Sequence, residues 1–437
     1  MDSRTDEAVP AGWSRRVLGD VADTNPEFLS ASTPPDFLFG YIDLSSVEKG
    51  RIHWDMVRTE AFRSAPSRAR RAVRPGDVLF GTVRPALQSH GAITPHENLP
   101  LVASTGFSVI RARQSESWPR FLFHTILGET VSRAARQMEV GSNYPAVNES
   151  DVRLFPVLCP PVPEQRHIAA ILDTLDDAIR ETEDLIAKHK QIERGLLHDL
   201  LTRGIDESGR LRPVLEKVPH IYRASALGML PVDWRVGPLS DWLVGGPKNG
   251  YSALEIDEWT GTCVLGLGCL TPDGFRPRHL KSISPRDGNV QRALLHDGDL
   301  LITRSNTREL VGFVGVYREV GMRCVYPDLM MRLTPTAATS PEFLEIVLRS
   351  PASRAQLQAA ASGTSGSMVK INSTVVRDLV VPMPPVAEQR RIVEANEMLA
   401  ALDASERNMA QKLWALKQGL SRDLLTGRVR VPAKALA

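Results

Sequence analysis

The chain has 437 residues, 42% of them hydrophobic and 24% charged, enough for two or three domains with ordinary cores and unlike a disordered or fibrous chain. No run of about 18 apolar residues occurs, and the first residues, Met1-Asp2-Ser3-Arg4-Thr5-Asp6-Glu7, are polar, so the sequence predicts no membrane span and no secretory leader and points to a cytoplasmic protein. A net charge of only +2 excludes a generally basic binder and confines any nucleic-acid contact to local clusters, for which 43 of the 53 basic residues are arginine, the side chain suited to bidentate contact with phosphate and guanine.

Residues 1–158 read as a first globular domain. It opens on Pro10-Ala11-Gly12-Trp13 and carries short apolar runs, Val78-Leu79-Phe80 and Phe107-Ser108-Val109-Ile110, closed off by Gly, Pro and Asp. Runs of that length between turn residues predict β-strands, with one helix near 118–138. Arg51, Arg58, Arg63, Arg68, Arg70, Arg71 and Arg74 crowd one stretch beside His53 and Trp54, offset only by Asp55 and Glu60. Such a cluster suits phosphate and base-edge contacts, and Arg51, His53, Arg68, Arg70, Arg71 and Arg84 are candidates for them. Gly141-Ser142-Asn143-Tyr144 is a polar turn whose Asn143 and Tyr144 join that set. A solvated charged loop is the plainer alternative.

At Pro160-Pro161-Val162-Pro163-Glu164-Gln165-Arg166-His167-Ile168 the pattern becomes helical, and residues 159–205 form the next segment. Proline and an early Glu suit a helix start, and Gly204 a stop. Ile168, Ile171, Leu175, Ala178, Thr182, Leu185, His189, Ile192 and Leu196 follow the 3,4 spacing of a coiled-coil seam. About 38 residues at ~1.5 Å per residue make a rod of roughly 57 Å.

Residues 206–382 hold a linker and a second globular domain, starting at Pro231-Val232-Asp233-Trp234, with strands expected at Leu300-Leu301-Ile302 and Val311-Gly312-Phe313-Val314-Gly315-Val316 and a helix near 341–361. Its basic stretch holds Arg276, Arg278, His279, Lys281, Arg286 and Arg292, and its Gly-rich turn is Gly363-Thr364-Ser365-Gly366-Ser367. The DNA-contact candidates here are Lys248, Asn249, Tyr251, Arg276, Arg278, Arg304, Asn306, Ser365, Ser367 and Lys370. Residues 383–427 form a second long helix, with Ile392, Ala395, Leu399, Leu402, Glu406, Met409, Leu413, Leu416 and Leu420 on its seam, and residues 428–437 a tail.

The chain repeats itself. Pro384-Pro385-Val386-Ala387-Glu388-Gln389-Arg390-Arg391-Ile392 follows the earlier motif at 224 residues, and Asp423-Leu424-Leu425-Thr426 follows Asp199-Leu200-Leu201-Thr202 at the same interval. Lys370-Ile371-Asn372 answers Ala146-Val147-Asn148, and Gly298-Asp299-Leu300-Leu301 answers Gly76-Asp77-Val78-Leu79. This interval is too long for a solenoid and indicates duplication of a domain plus a helix. The two helices are expected to pair antiparallel about a pseudo-two-fold axis, which sets Thr182 opposite Glu406.

Catalytic signatures are not found. There is no G-x-x-x-x-G-K-[ST] loop, no lysine with an acid two positions before it, and no H-E-x-x-H. Thr33-Pro34-Pro35-Asp36 departs from the proline-rich tetrapeptide of amino-methyltransferases at both ends. Cys159, Cys263, Cys269 and Cys324 form no C-x-x-C pair, so no zinc site is expected.

The doubled Pro-Pro-Val-x-Glu-Gln-Arg-x-Ile motif, the Leu-Leu-Thr helix ends and the Pro-x-x-Trp domain starts resemble the specificity (S) subunit of type I restriction-modification enzymes over nearly the whole chain. Gly298-Asp299-Leu300-Leu301-Ile302-Thr303-Arg304 and Lys370-Ile371-Asn372 fit the same pattern, whereas Gly81-Thr82-Val83-Arg84 and Gly141-Ser142-Asn143-Tyr144 depart from it in the first half. The resemblance implies an α+β protein: two α/β target-recognition domains separated and joined by two long helices in an antiparallel coiled coil. Each domain would read half of a split double-stranded DNA target. The helices would fix the spacer and dock two methyltransferase (M) subunits that methylate adenine, while restriction (R) subunits translocate and cleave DNA. This chain would bind no cofactor itself; S-adenosylmethionine, ATP and Mg belong to the partners. On the residues alone, a solitary coiled-coil DNA-binding adaptor and a methyltransferase or nuclease with an unfamiliar active site remain open.

Overall fold

The structure, a computed structural model, describes residues 9–95, 99–141, 143–365 and 368–431. It divides into two compact units, residues 1–185 with 406–437, and residues 186–405. The long helices are Val162–Thr202 and Val386–Leu425. The division falls inside both helices because each helix end is built into the core of a globular half. No helix among the described residues is long and apolar enough to cross a membrane.

In the first unit one sheet runs Arg58–Ala61, Leu38–Ile42, Leu101–Ser104, Ala69–Val73, with Leu101–Ser104 parallel to Leu38–Ile42. A second, antiparallel sheet runs Ala22–Thr24, Phe107–Ala112, Val78–Gly81, His90–Ala92. Val78–Gly81 is buried along its whole length, which is why it reads as an unbroken apolar run rather than an alternation. Ser14–Val17 pairs with Pro156–Cys159, the strand that leads into the first long helix.

The second unit repeats this plan. Thr262–Leu265 lies parallel to Arg323–Val325 and antiparallel to Leu280–Ser282. A four-stranded antiparallel sheet runs Lys248–Asn249, Met330–Leu333, Leu300–Thr303, Val314–Val316. Arg235–Pro238 pairs with Val380–Met383 before the second long helix. Where single helices were expected near 118–138 and 341–361, each unit has two: Pro119–Leu127 and Glu129–Met138, then Pro341–Arg349 and Pro351–Ala360. The break in the second unit is chemical. Ser350 is extended and its side chain accepts from the Ser353 amide, and Pro351 cannot continue a preceding helix.

Within each unit the helix ends pack antiparallel. In the first, Ile168, Ala169 and Leu172 are buried with Trp13, Phe121, Leu424 and Val431, and Leu420 packs against them. In the second, Leu200 and Leu201 share a core with Ile392, against which Leu196, Val393 and Ala395 pack.

The seam is not the one expected at every position. Ile168, Leu175, Leu196, Ile392, Leu399, Leu413 and Leu420 face inward, but Ile171, Leu185, Ile192, Leu402, Met409 and Leu416 are exposed. The inward series takes the next residue at alternate steps: buried Leu172 and Ile179 and half-buried Ile186 on the first helix, and half-buried Asn396, Asp403, Ala410 and Lys417 on the second. Ile171-Leu172 and Leu185-Ile186 are adjacent apolar pairs, so the pattern admits two phases. The chosen phase buries Leu172 completely beneath the globular half.

The register is also shifted. Trp414 Nε1 donates to Glu183 Oε1 at 3.2 Å and Lys417 pairs with Asp176. Counted antiparallel from these pairs, Thr182 falls opposite about residues 411–415 instead of Glu406. Its hydroxyl donates to the Ala178 carbonyl at 2.7 Å, so the expected bond to Glu406 is not formed.

Candidate nucleic-acid interface

The repeated Glu-Gln dipeptide is the joint between globular half and helix. In the second unit Glu388 is 1% exposed. Its carboxylate accepts from Trp234 Nε1 at 3.0 Å, from the Ile205 amide at 2.8 Å, and from both terminal nitrogens of Arg212. In the first unit Glu164, 3% exposed, accepts from Trp13 Nε1 at 3.2 Å and from Arg430 at 2.7 and 2.9 Å. The domain-start tryptophan and the helix-start glutamate are thus clasped by an arginine from the segment that follows the other long helix.

Close packing at the clasp explains the glycines that end the helices. Gly204 has φ +71° and Gly427 φ +69°. A Cβ at Gly204 would collide with Glu388 and Trp234, and one at Gly427 with Pro10. The neighbouring glutamines serve the loops. Gln165 accepts from the Trp118 amide at 2.8 Å and donates to Pro160 and Glu116 carbonyls, and Gln389 donates to those of Pro384 and Ala338.

The Gly-Asp motif has a comparable structural reason. Asp77 accepts from the Arg74 amide and takes a bidentate pair from Arg111 at 2.8 Å. Asp299 accepts from the His296 amide and pairs with Arg332 at 3.1 Å. Burial works against the Arg111 charge, but Asp77 and Glu27 raise its pKa.

Against this frame the candidate contacts fall into groups. Arg84, Asn143 and Tyr144 are brought together across 59–60 residues of chain: the Arg84 guanidinium lies 4.6 Å over the Tyr144 ring, and its Nη2 donates to the Asn143 carbonyl at 3.3 Å. Arg84 is left-handed at φ +48°, and its amide donates to Pro145 at 2.7 Å. Tyr144 is 71% exposed, so a rigid cation–π pair faces solvent.

The matching place in the second unit is a three-stranded sheet of Ser305–Asn306, Met368–Lys370 and Ser362–Ser365, with Arg304 accepting from the Ile371 amide. It gathers Arg304, Asn306, Ser365 and Lys370; Ser367 lies outside the described residues. Lys248 and Asn249 are exposed on the edge strand of the four-stranded sheet, and Arg276 and Arg278 are exposed after Gly274–Phe275.

Several candidates are occupied otherwise. Tyr251 is 8% exposed and belongs to the apolar core of the second unit, because it follows the edge strand on its inner side; it is no surface contact. Arg51 lies 3.8 and 3.7 Å from Glu183 and Asp184 of the first long helix. Arg71 is partly buried and 3.4 Å from Glu149. Arg70 covers the Phe62 ring at 5.0 Å. His53 is half-buried at the start of a short turn. Arg68, Arg276 and Arg278 are exposed and make no ion pair among the described residues.

One cluster has metal-type donors, His124, Asp173 and Asp176. Its carboxylates are already engaged: Arg120 and the His124 ring bind Asp173, and Lys417 binds Asp176. Burial opposes the Asp173 charge, yet the hydrogen bonds from His124 and Arg120 hold its carboxyl down to about 2. Burial likewise pushes His124 down, against the pull of Asp173. The donor set fits an ionic knot between helix Pro119–Leu127 and the long helix better than a metal site. This knot leaves no local pattern in the sequence, since Arg120 and His124 stand 53 and 49 residues from Asp173 and Lys417 lies on the other long helix.

Taken unit by unit, the fold is that of an internally duplicated protein in which each globular half is locked to the ends of two long helices. Residues 73–193 match the family described as Type I restriction modification DNA specificity domain. The chain is 24% identical to the EcoKI specificity subunit of Escherichia coli K12 over 77% of its own length and 70% of that protein's. It is 20% identical to a putative MjaX specificity subunit of Methanocaldococcus jannaschii over 97% and 95% of the two chains. A chain in a solved structure of a type I R-M system superposes with a TM-score of 0.60 at 25% identity, covering 97% of this chain and 100% of that one. The S subunit from M. genitalium shares the fold at a TM-score of 0.54 and 12% identity, over 97% and 98% of the two chains. Over most of its length the chain is thus similar to the specificity subunits of type I restriction-modification systems.

Proposed function

We propose that this chain is the DNA sequence-recognition subunit of a type I restriction-modification enzyme, each globular half reading one part of a bipartite target. The observation that carries the reading is the same composite surface in both units. A basic turn after the central strand docks on a polar hairpin, giving Arg84 with Asn143 and Tyr144 in one and Arg304 with Asn306 and Lys370 in the other. Arginine and asparagine held on rigid backbone suit readout of base edges and phosphates. The clasps at Glu164 and Glu388 make each reader move as one body with its helix ends. The two helices, 41 and 40 residues long, then act as the ruler for the unspecified spacer, each spanning about 60 Å at ~1.5 Å per residue.

The chain itself performs no chemistry in this reading. It directs adenine methylation by two methyltransferase subunits and cleavage by restriction subunits, which carry S-adenosylmethionine, ATP and Mg in the cytoplasm. In each unit taken by itself the long helices leave apolar residues outward, Ile171, Leu185, Met409 and Leu416 in the first and Ile192, Met398 and Leu402 in the second, and these suit docking of methyltransferases.

The test is single-molecule mapping of methylated adenines in a host that carries this chain with its methyltransferase, repeated after residues 1–158 are exchanged for those of a relative. A change confined to one half of the target supports the reading. A change in both halves, or methylation without a bipartite motif, overturns it.

A further inference from the structure

The second unit holds a pair of thiols that no part of DNA recognition uses. Cys263 lies on Thr262–Leu265 and Cys324 on the parallel strand Arg323–Val325, and the two are direct partners in the ladder. Both are buried, and their sulfurs stand 2.9 Å apart. Neighbouring strands lie about 4.8 Å apart, inside the ~4.4–6.8 Å Cα separation that a disulfide bridges. Closing from there to a bond of about 2.05 Å needs sulfur movement of under about 1 Å and no shift of backbone.

We propose that Cys263 and Cys324 are a latent oxidation site that closes into a reversible intrachain disulfide when the chain meets a hydroperoxide. Cys324 is the attacking sulfur. The two thiols share a hydrogen bond, and this bond, with a further one from Tyr317, lowers the Cys324 thiol against the opposition of burial, which favours its thiolate as the nucleophile. Cys263 is shifted up by the same hydrogen bond and by burial, so it keeps its proton.

The Cys324 thiolate attacks the outer peroxide oxygen, the O–O bond breaks, and the departing alkoxide takes a proton to become an alcohol, leaving Cys324 as a sulfenic acid. The Cys263 sulfur then attacks the Cys324 sulfur. The S–S bond forms, the S–O bond breaks, and hydroxide leaves with the Cys263 proton as water. Two thiols lose two electrons and two protons, and the hydroperoxide gains them.

Access comes from topology. Arg323–Val325 is a three-residue strand at the end of its sheet, held on its outer side by one bridge, Leu294 to Val325, and by the Leu295 amide donating to the Cys324 carbonyl at 2.9 Å, so exposing Cys324 takes local opening of that short segment and not global unfolding. Cys269, also buried in this core, is turned away: its thiol donates to the Arg278 carbonyl at 2.5 Å. The first unit has no counterpart. Its matching parallel pair sets Tyr41 against Val102, so oxidation acts on the second unit alone.

The experiment treats the full-length chain with tert-butyl hydroperoxide, blocks remaining thiols with N-ethylmaleimide in denaturant, and maps a non-reducing digest by mass spectrometry. The expected product is a Cys263 peptide joined to a Cys324 peptide with the loss of two hydrogens, abolished by dithiothreitol, with Cys159 and Cys269 alkylated. Cys324→Ser should leave Cys263 fully alkylated. Recovery of both thiols alkylated, over-oxidised acids on Cys324 without a link, or a link to Cys159 or Cys269 would each overturn the proposal. The wild-type digest decides the matter even if the variant fails to fold.

Discussion

Replacing Arg212 by methionine tests the clasp directly. The Glu388 side chain is 2% exposed and that of Arg212 is 14%. Arg212→Met keeps the packing of the stem but leaves a buried carboxylate with only the Trp234 and Ile205 donors. Removing one partner of a buried ion pair costs about 3–5 kcal/mol. Two surviving hydrogen bonds favour the low end, about 3 kcal/mol. With a urea dependence of ~3 kcal/mol per M for a unit of this size, the midpoint falls by about 1 M.

Adding Glu388→Gln to Arg212→Met removes the uncompensated charge, so the double variant should be more stable than Arg212→Met alone by about 1–2 kcal/mol. The assay is urea unfolding read by hydrogen exchange in peptides covering 196–205 and 386–395, all within the second unit. A midpoint shift below about 0.3 M for Arg212→Met, or strictly additive variants, would refute the claim that the clasp is a buried charge held by its arginine. Arg430→Met in the first unit should act in the same direction but more weakly, since Arg430 lies at the surface.

Three other outcomes follow from the geometry. His90 is buried, stacked on Phe80, and accepts from the Gly81 amide through Nδ1 at 3.1 Å, with burial pushing it down to about 4; because the unfolded chain takes up this proton first, its contribution is full above pH ~6.5 and is lost as pH falls toward ~4, by up to about 3 kcal/mol, a limb that His90→Leu should flatten in urea midpoints measured against pH. Leu172→Asp should destabilise the first unit by more than about 3 kcal/mol, whereas Ile171→Asp should change stability by under about 1 kcal/mol while weakening capture of the methyltransferase in a pull-down; equal unfolding midpoints for the two would contradict the observed seam. Arg276→Ala with Arg278→Ala should lower DNA affinity and shrink the slope of log K against log salt by roughly 1–2, and an unchanged slope would remove both from the interface.

What was legible in the sequence was the part fixed by local chemistry at a repeated interval. Pro-Pro, Glu and a terminal Gly marked the long helices to within a few residues because each acts on its own turn of backbone. The doubled motif showed that whatever happened at Glu164 would happen again at Glu388. The role of those glutamates was not legible, because it depends on Trp13 and Arg430 in one unit and on Trp234 and Arg212 in the other, brought together across 151–266 residues. Arginine clusters misled for a related reason: Arg51, Arg71 and Arg74 sit near carboxylates distant in sequence, so crowding along the chain overstated the charge open to a ligand.

The seam shows most clearly why pattern alone stops short. Both phases of the 3,4 spacing hold Ile168, Leu175 and Leu196, and they differ only in whether Ile171 or Leu172, Leu185 or Ile186, turns inward. On the second helix apolar count favours the other phase, since the inward one takes in half-buried Asn396, Asp403 and Lys417 and leaves Leu402, Met409 and Leu416 exposed. An isolated pair of helices would select the richer apolar face. These helices are held at their ends by Leu172 and Leu424 inside the cores and by buried Glu164 and Glu388, and a rotation that buried Leu402 or Leu416 would pull those anchors out. Lys417 is then accommodated by Asp176. Apolar residues left outside at the expense of a polar seam are therefore a consequence of end anchoring.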